Sequence, residues 1–174
     1  MRFSLSEFWQ NRAIEVGKQR QADALAAGYV RYGNGPDNPE IYHIHGAVTE
    51  AGVASQFKMR WDWEKRTVGG IDVGGLIEVR SRPAYKIDRR ELGIRPRDRE
   101  LGKAHLPFVL VWVYADLSME LKGWLYGWEG MHEDDEALHR ARWNANSKCW
   151  YNPPPYRSID ELKAIIAERR MVEA

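Results

Sequence analysis

Two acidic residues and a basic residue lie close together in a glycine-rich segment near the middle of the chain. Asp72 precedes a Gly-Gly pair, and Glu78 and Arg80 follow that pair with one residue between them. Residues two apart on a strand project to the same face, so Glu78 and Arg80 are expected side by side. Carboxylate oxygens bind Mg²⁺, which acidifies a bound water, and a nearby cation stabilises negative charge on a phosphate. The spacing therefore favours metal-dependent phosphodiester hydrolysis.

The two acids can act together only if the turn between them places both on one face of a hairpin. A two-residue Gly-Gly turn pairs Asp72 with Ile77 and directs Asp72 away from Glu78. A three-residue loop that includes the preceding valine pairs Asp72 with Leu76 and puts it on the face of Glu78. Gly75 suits the left-handed position of such a loop. The sequence permits this second geometry without requiring it.

The order of acid, short gap and Glu-Xaa-Arg resembles the PD-(D/E)xK nuclease superfamily, which includes restriction enzymes, Holliday-junction resolvases and phage recombination exonucleases. The chain is similar in particular to a group of small phage- or prophage-encoded members. The resemblance implies an α/β (α+β) fold in which helices flank a central mixed β-sheet, with a restriction-endonuclease-like core. It also implies a single nuclease-like domain over residues 1–174. The matching segments are 45–54, 72–75, 78–80, 92–98, 107–111, 123–127 and the proline-rich stretch before the last helix.

The resemblance also implies roles for individual residues. Glu50, Asp72 and Glu78 are the expected ligands of Mg²⁺ or Mn²⁺, together with the backbone carbonyl of Val79. Glu50 matches a helical glutamate that many members add to the site. Arg80 stands where most members have lysine, and arginine keeps its charge whereas lysine can lose a proton. The expected catalytic residues are thus Glu50, Asp72, Glu78 and Arg80, with no organic cofactor.

Basic residues are concentrated between residues 80 and 103. This stretch has nine basic and four acidic residues, so it carries +5, whereas the whole chain carries +1. A local excess of positive charge suits a polyanion such as DNA, although a solvated loop of mixed charge is the alternative. Arg95 and Arg97 alternate along a segment expected to be extended. With Arg82, they are the candidate DNA-binding residues.

Helices that hold these residues are predicted from hydrophobic periodicity. A first helix is predicted over residues 5–27, opened by a capping box at Ser4 and Glu7, so that segment 1–28 packs on the core. A second is predicted over about 47–63, with Glu50 on its apolar stripe. That acid either serves the site or only favours the positive end of a helix that starts near residue 49. A C-terminal helix in segment 156–174 begins at a second capping box.

Strands are predicted where the period changes to two. Residues 68–73 are expected to pair with the strand that carries Glu78. Residues 108–114 form a nearly continuous apolar run, which is typical of a central strand buried on both faces. A further strand is predicted over 121–128, and a short helix around 134–143.

Several aromatic and histidine residues have simpler explanations than a ligand site. Trp9 and Trp61 fall on helical stripes and Trp112 on the apolar strand, so all three are predicted to be core. His43 and His45 would face the same way on a strand, as metal ligands can. Because no third ligand accompanies them, a structural role is predicted.

Composition limits the class of protein. Apolar residues make up 44% of the chain and charged residues 29%, a balance typical of a soluble globular domain. No apolar run is long enough to span a bilayer. The single cysteine, Cys149, excludes an internal disulfide and is predicted to be buried. We expect a cytoplasmic protein, in the host cytoplasm if phage-encoded.

The predicted function is metal-dependent hydrolysis of DNA, in phage recombination or repair or as a resolvase-like enzyme. DNA is the expected partner, no membrane is involved, and a homodimer is left open. One alternative is a catalytically inactive nuclease-fold accessory protein that binds DNA or protein, supported by the arginine at position 80. Another is a phage accessory protein with a tryptophan-rich protein interface.

Overall fold

The computed structural model describes residues 1–28, 39–63, 70–86, 91–131, 142–145 and 148–172. Within these ranges the chain has a mixed α+β architecture, as the sequence predicts. In chain order the elements are β1 (Arg2–Phe3), α1 (Glu7–Ala26), α2 (Pro39–Gln56), β2 (Glu78–Pro83), β3 (Leu92–Ile94), α3 (Pro96–Glu100), β4 (Pro107–Val113), β5 (Met119–Tyr126), a 3₁₀ turn (Trp128–Gly130), β6 (Arg142–Asn144), β7 (Cys149–Asn152) and α4 (Ile159–Val172).

The main sheet is mixed and has the strand order β1-β5-β4-β2. Strand β4 runs parallel to β2 and antiparallel to β5, and β5 runs antiparallel to β1. A second sheet has the order β3-β7-β6 and is antiparallel throughout. Strand β2, which carries Glu78 and Arg80, is therefore at an edge of the main sheet.

Two apolar cores lie on the two faces of strand β4. Val109 and Val111 belong to the core that helices α1, α2 and α4 share with the main sheet. Phe108 and Leu110 belong to a second core with residues of β3. The alternation confirms that β4 is a central strand buried on both faces. Along β2, Val79 joins the helical core, so Glu78 and Arg80 face the second core.

Helices α1 and α2 touch at a glycine. A Cβ added at Gly17 would lie 2.5 Å from the Cα of Ile44 and 2.7 Å from its backbone nitrogen. The middle of α1 is buried there, at Ala13, Val16 and Gly17. Because glycine has no side chain at this crossing, the backbones of the two helices can pack directly against each other.

We expect the Gly17→Ala variant to lose about 1–3 kcal/mol of unfolding free energy, because the added methyl group must push the two helices apart. Urea unfolding measures the loss. Gly46→Ala in α2 is the matched control, since nothing lies within 4 Å of its added Cβ. That control should be neutral or gain up to about 1 kcal/mol from better helix propensity. Equal stability of the two variants would contradict the packing described.

The N-terminal end of α1 differs from its prediction. Trp9 is 46% exposed and Phe8 is 71% exposed, so Trp9 is not a core residue. The predicted stripe was wrong here because burial on α1 is confined to its middle. The N-cap is Ser6 rather than Ser4, and its side chain makes no capping hydrogen bond.

Helix α2 begins and ends about eight residues earlier than predicted. It starts at Pro39, a residue favoured in the first helical turn because its missing N–H leaves no donor unpaired. It ends at Gln56, after which Lys58 adopts a left-handed backbone conformation. His43 and His45 are therefore helical, so they do not project to one face as they would on a strand.

The C-terminal half is closer to its prediction. The hydroxyl of Ser158 accepts a hydrogen bond from the backbone N–H of Glu161, which confirms one of the two contacts of the second capping box, and α4 starts at Ile159. The Glu161 carboxylate pairs with Arg157 instead. Cys149 is buried as predicted. Most of the helix predicted around 134–143 lies outside the described residues, but Arg142–Asn144 is a strand, which corrects its end.

Candidate active site at the edge of the mixed sheet

The turn before β2 brings the two acids together. Val73 and Ile77 form an isolated antiparallel bridge, so three residues connect them and Asp72 lies opposite Glu78. Of the two loop lengths that the sequence permits, the three-residue loop is present, with a register shifted by one residue from the pairing of Asp72 with Leu76. Both registers put the acids on one face. The Asp72 carboxylate also accepts a hydrogen bond of 2.8 Å from the backbone N–H of Val79.

Five charged side chains meet beside this turn, and we call them the ion cluster: Asp72, Glu78, Arg80, Asp98 and Lys103. Arg80 Nη1 lies 3.2 Å from Glu78 Oε2 and 3.9 Å from Asp72 Oδ2. Arg80 Nη2 lies 2.9 Å from Asp98 Oδ2. Lys103 Nζ lies 2.7 Å from Glu78 Oε1. Three carboxylates and two cations give the ionised cluster a net charge of −1.

Short helix α3 and the loop after it position two members of the ion cluster. The Asp98 carboxylate accepts a hydrogen bond from the backbone N–H of Arg95, which fixes it at the start of α3. Lys103 donates a hydrogen bond of 2.6 Å to the carbonyl of Gly70, two residues before Asp72. Lys103 thereby links the loop after α3 to the acidic turn. Its buried position was not predicted, because the sequence shows only that it is basic.

Glu78 is the buried centre of the ion cluster. Only 1% of its surface is exposed. Burial and the neighbouring Asp72 raise the pKa of Glu78 while Arg80 and Lys103 lower it, and the net result is a pKa of about 7. A further cation beside Asp72 and Glu78 would relieve this excess of negative charge. The donor set of two carboxylates, one of them 25% exposed, fits Mg²⁺ with water as its remaining ligands.

Glu50 occupies a different position from the other predicted acids. Both of its carboxylate oxygens are paired with Arg20 of α1, at 2.6 and 2.7 Å. The Trp61 indole N–H donates a third, longer hydrogen bond of 3.4 Å. Burial raises the pKa of Glu50, and the Arg20 contact opposes that rise. The negative charge of Asp72 raises the pKa of both Glu50 and Glu78.

The backbone carbonyl of Val79, a predicted metal ligand, contacts the positively charged side chain of Arg80. Arg80 Nη1 donates to the Val79 carbonyl at 3.2 Å, so this nitrogen lies near Asp72, Glu78 and Val79 together. These are three of the four expected metal-ligating groups. In the part of the chain that the structure describes, no three His, Cys, Asp or Glu side chains are placed to hold one metal ion.

The three candidate DNA-binding residues differ in accessibility. Arg82 points inward, where its guanidinium donates to the carbonyls of Glu91 and Ser81, and burial lowers its pKa. Arg95 and Arg97 are exposed next to the ion cluster. The prediction that they lie in an extended segment was wrong, because Arg95 is the N-cap of α3 and Arg97 lies within that helix. These two remain available for phosphate contacts.

His45 is buried without a hydrogen-bond partner for its ring Nδ1 among the described residues. His45 is 3% exposed. Its burial and the positive charge of Lys86 together lower its pKa to about 4. The unfolded protein protonates this histidine near its ordinary pKa of 6.5, whereas the folded protein keeps it neutral down to about pH 4. The folded state therefore loses stability relative to the unfolded state as the pH falls from about 6.5 toward 4.

We therefore expect His45→Gln to flatten the acid side of the stability profile. Between about pH 7 and about pH 4.5, the wild type should lose about 2–3 kcal/mol more unfolding free energy than the variant. Urea unfolding at each pH measures the difference. His105→Gln, at an exposed position, is the control and should follow the wild type. Parallel profiles for all three proteins would show that His45 is not buried in its neutral form.

No protein-family model, no curated protein and no solved structure matches this chain. None of the described helices combines the length and apolar character needed to cross a membrane. What the site does is therefore inferred from the positions and charges of its side chains.

Proposed function

We propose that this protein hydrolyses phosphodiester bonds of DNA, with Mg²⁺ or Mn²⁺ held by Asp72 and Glu78. The observation that carries the proposal is the meeting of Asp72, Glu78 and Arg80 on one face of an edge strand. Asp72 is partly exposed at this edge, so a phosphate and water can reach it. A restriction-endonuclease-like core belongs to the same proposal.

Each member of the ion cluster has a distinct task in this reaction. The metal, when bound, would acidify a water and neutralise phosphate charge. Arg80 is fixed by Asp98 and Glu78, so its guanidinium offers a positioned charge to the scissile phosphate. Lys103 compensates the charge of Glu78 at Oε1 and leaves Oε2 beside Arg80. Exposed Arg95 and Arg97 are placed for contacts to flanking phosphates.

Glu50 takes part only if its pairing with Arg20 opens. Its two oxygens are committed to the guanidinium, and breaking this partly buried pair is costly. Glu78 is also paired at both oxygens, so it would bind the metal in exchange for its 3.2 Å contact with Arg80. The proposed ligand set is partly exposed Asp72 together with Glu78, a number of carboxylates that Mg²⁺ sites commonly use.

The proposal is tested with purified protein and three labelled substrates: a single strand, a linear duplex and a supercoiled plasmid. We expect cleavage of at least one of them in Mg²⁺ or Mn²⁺ and none in EDTA. Cleavage that persists in EDTA, or no cleavage with either metal, would contradict it. Measuring Mn²⁺ binding by calorimetry on the same preparation tests the metal site directly.

A second candidate function is DNA binding without cleavage, which the position of Arg80 Nη1 favours. This nitrogen already lies among three expected ligand groups, as an internal cation would. On this hypothesis the wild type binds no Mn²⁺ and cleaves nothing, but binds DNA with an affinity that falls steeply with salt. The calorimetry and cleavage experiments separate the two candidates.

A further inference from the structure

A pocket lined by helix α1 and Trp63 lies outside the ion cluster. Its volume is about 260 Å³. Its lining combines two guanidinium groups, an indole, an amide, a carboxylate and one aliphatic side chain. The lining residues are Arg12, Glu15, Val16, Gln19, Arg20 and Trp63. We call it the α1 pocket.

The lining suits a planar, hydrogen-bonding ligand. The Arg12 guanidinium lies 3.8 Å from the centre of the Trp63 ring, so two flat groups are already stacked at the wall. Glu15 pairs with Arg12 at 3.0 Å and also offers a hydrogen-bond acceptor to the edge of a base. Gln19 adds an amide, which donates to Asp23 at 2.8 Å. A nucleobase has both the flat face and the polar edge that such a lining recognises.

The α1 pocket is connected to the candidate active site through Arg20. This residue lines the pocket and at the same time pairs with Glu50, and Asp72 acts on its charge. The Trp61 indole, which donates to Glu50, lies 6.5 Å from the ring of exposed Trp9. A ligand bound in the pocket thus contacts a residue that is itself paired with Glu50.

We propose that the α1 pocket binds an unpaired nucleotide of a DNA strand, with its base against Trp63 and Arg12. The inference rests on the proposed function and narrows its substrate to DNA with a single-stranded region. In a duplex the bases are stacked on one another, so no base face is available to the indole. Arg12 is paired with Glu15 and Arg20 with Glu50, so the flat faces of Trp63 and Arg12, rather than an excess of positive charge, favour a base over an apolar protein partner.

Binding is measured by fluorescence anisotropy in EDTA, with a labelled oligothymidylate and a blunt duplex of equal length. We expect the wild type to prefer the single strand. Trp63→Ala should weaken single-strand binding about tenfold, Trp63→Phe should retain most of it, and Arg12→Gln should also weaken it. Tyr85→Ala is the control, because Tyr85 is an exposed aromatic residue beyond the opposite end of β2 from Glu78.

Three results would overturn the inference: wild-type affinity in Trp63→Ala and Arg12→Gln, an equal loss in Tyr85→Ala, or no preference for the single strand. A change in molar mass by light scattering in Trp63→Ala would also overturn it, since the pocket would then be a protein interface. Thermal unfolding checks each fold, and Arg12→Gln decides if Trp63→Ala does not fold. Because binding is measured without metal, a failure to cleave DNA does not contradict the proposed pocket. If the wild type cleaves DNA but Trp63→Ala and Arg12→Gln bind the single strand as well as it does, only the pocket proposal is rejected.

Discussion

The Asp72→Asn variant is expected to cleave DNA more than about a hundredfold more slowly than the wild type while keeping its fold. Removing a group that merely supports a metal ligand costs about 10–100-fold, so removing a ligand should cost more. Asparagine keeps an oxygen that can accept the Val79 N–H, so the turn before β2 should survive. Single-turnover cleavage in Mg²⁺ and in Mn²⁺ measures the effect.

Asp160→Asn provides the control for this experiment. Asp160 is an exposed carboxylate in the first turn of α4, and its loss should leave the cleavage rate near that of the wild type. Thermal unfolding of both variants separates a loss of chemistry from a loss of structure. An Asp72→Asn protein that is folded and retains a tenth or more of the rate would reject Asp72 as a metal ligand.

Lys103→Met is expected to lower the unfolding free energy by about 3 kcal/mol. The variant keeps an aliphatic chain of similar length but leaves one oxygen of buried Glu78 without its cation, and breaking a buried pair costs about 3–5 kcal/mol. Arg80 still pairs with the other oxygen, which places the loss at the lower end. Urea unfolding at neutral pH measures it.

The matched comparison is Lys122→Met, which removes a partly exposed pair with Glu120 at 3.1 Å and should cost less than about 1 kcal/mol. The double variant Lys103→Met/Glu78→Gln should be less destabilised than the sum of its single variants, because the neutral amide no longer needs a cation. Strict additivity would show that the two side chains are not coupled.

Local patterns in the sequence predict much of this fold. The apolar run at residues 108–114 is sufficient to identify β4, because a strand buried on both faces needs apolar residues at every position. Ser158 and Glu161 identify the start of α4 because the capping contact spans a single turn. The shared face of Asp72 and Glu78 follows from alternation and a short glycine loop.

The remaining part of the site depends on contacts between distant segments. Arg20 reaches Glu50 only because α1 and α2 cross closely at Gly17. Lys103 reaches Glu78 only because the loop after α3 folds back onto the acidic turn. The residues next to Arg20 and Lys103 in the sequence do not indicate either contact. Both basic residues would therefore be predicted to lie on the surface. The predicted burial of Trp9 was wrong for the same reason, because hydrophobic periodicity does not show how much of α1 is covered by α2.

The parallel pairing of β2 with β4 has a consequence for how the protein folds. Glu78 lies beside Phe108 in the sheet, although β3, α3 and two loops separate them along the chain. Such non-local pairing raises contact order and slows folding, and the ion cluster cannot assemble before β2 and β4 meet. Substitutions in the cluster should therefore accelerate unfolding more than they retard refolding, so a chevron plot would change mainly in its unfolding arm.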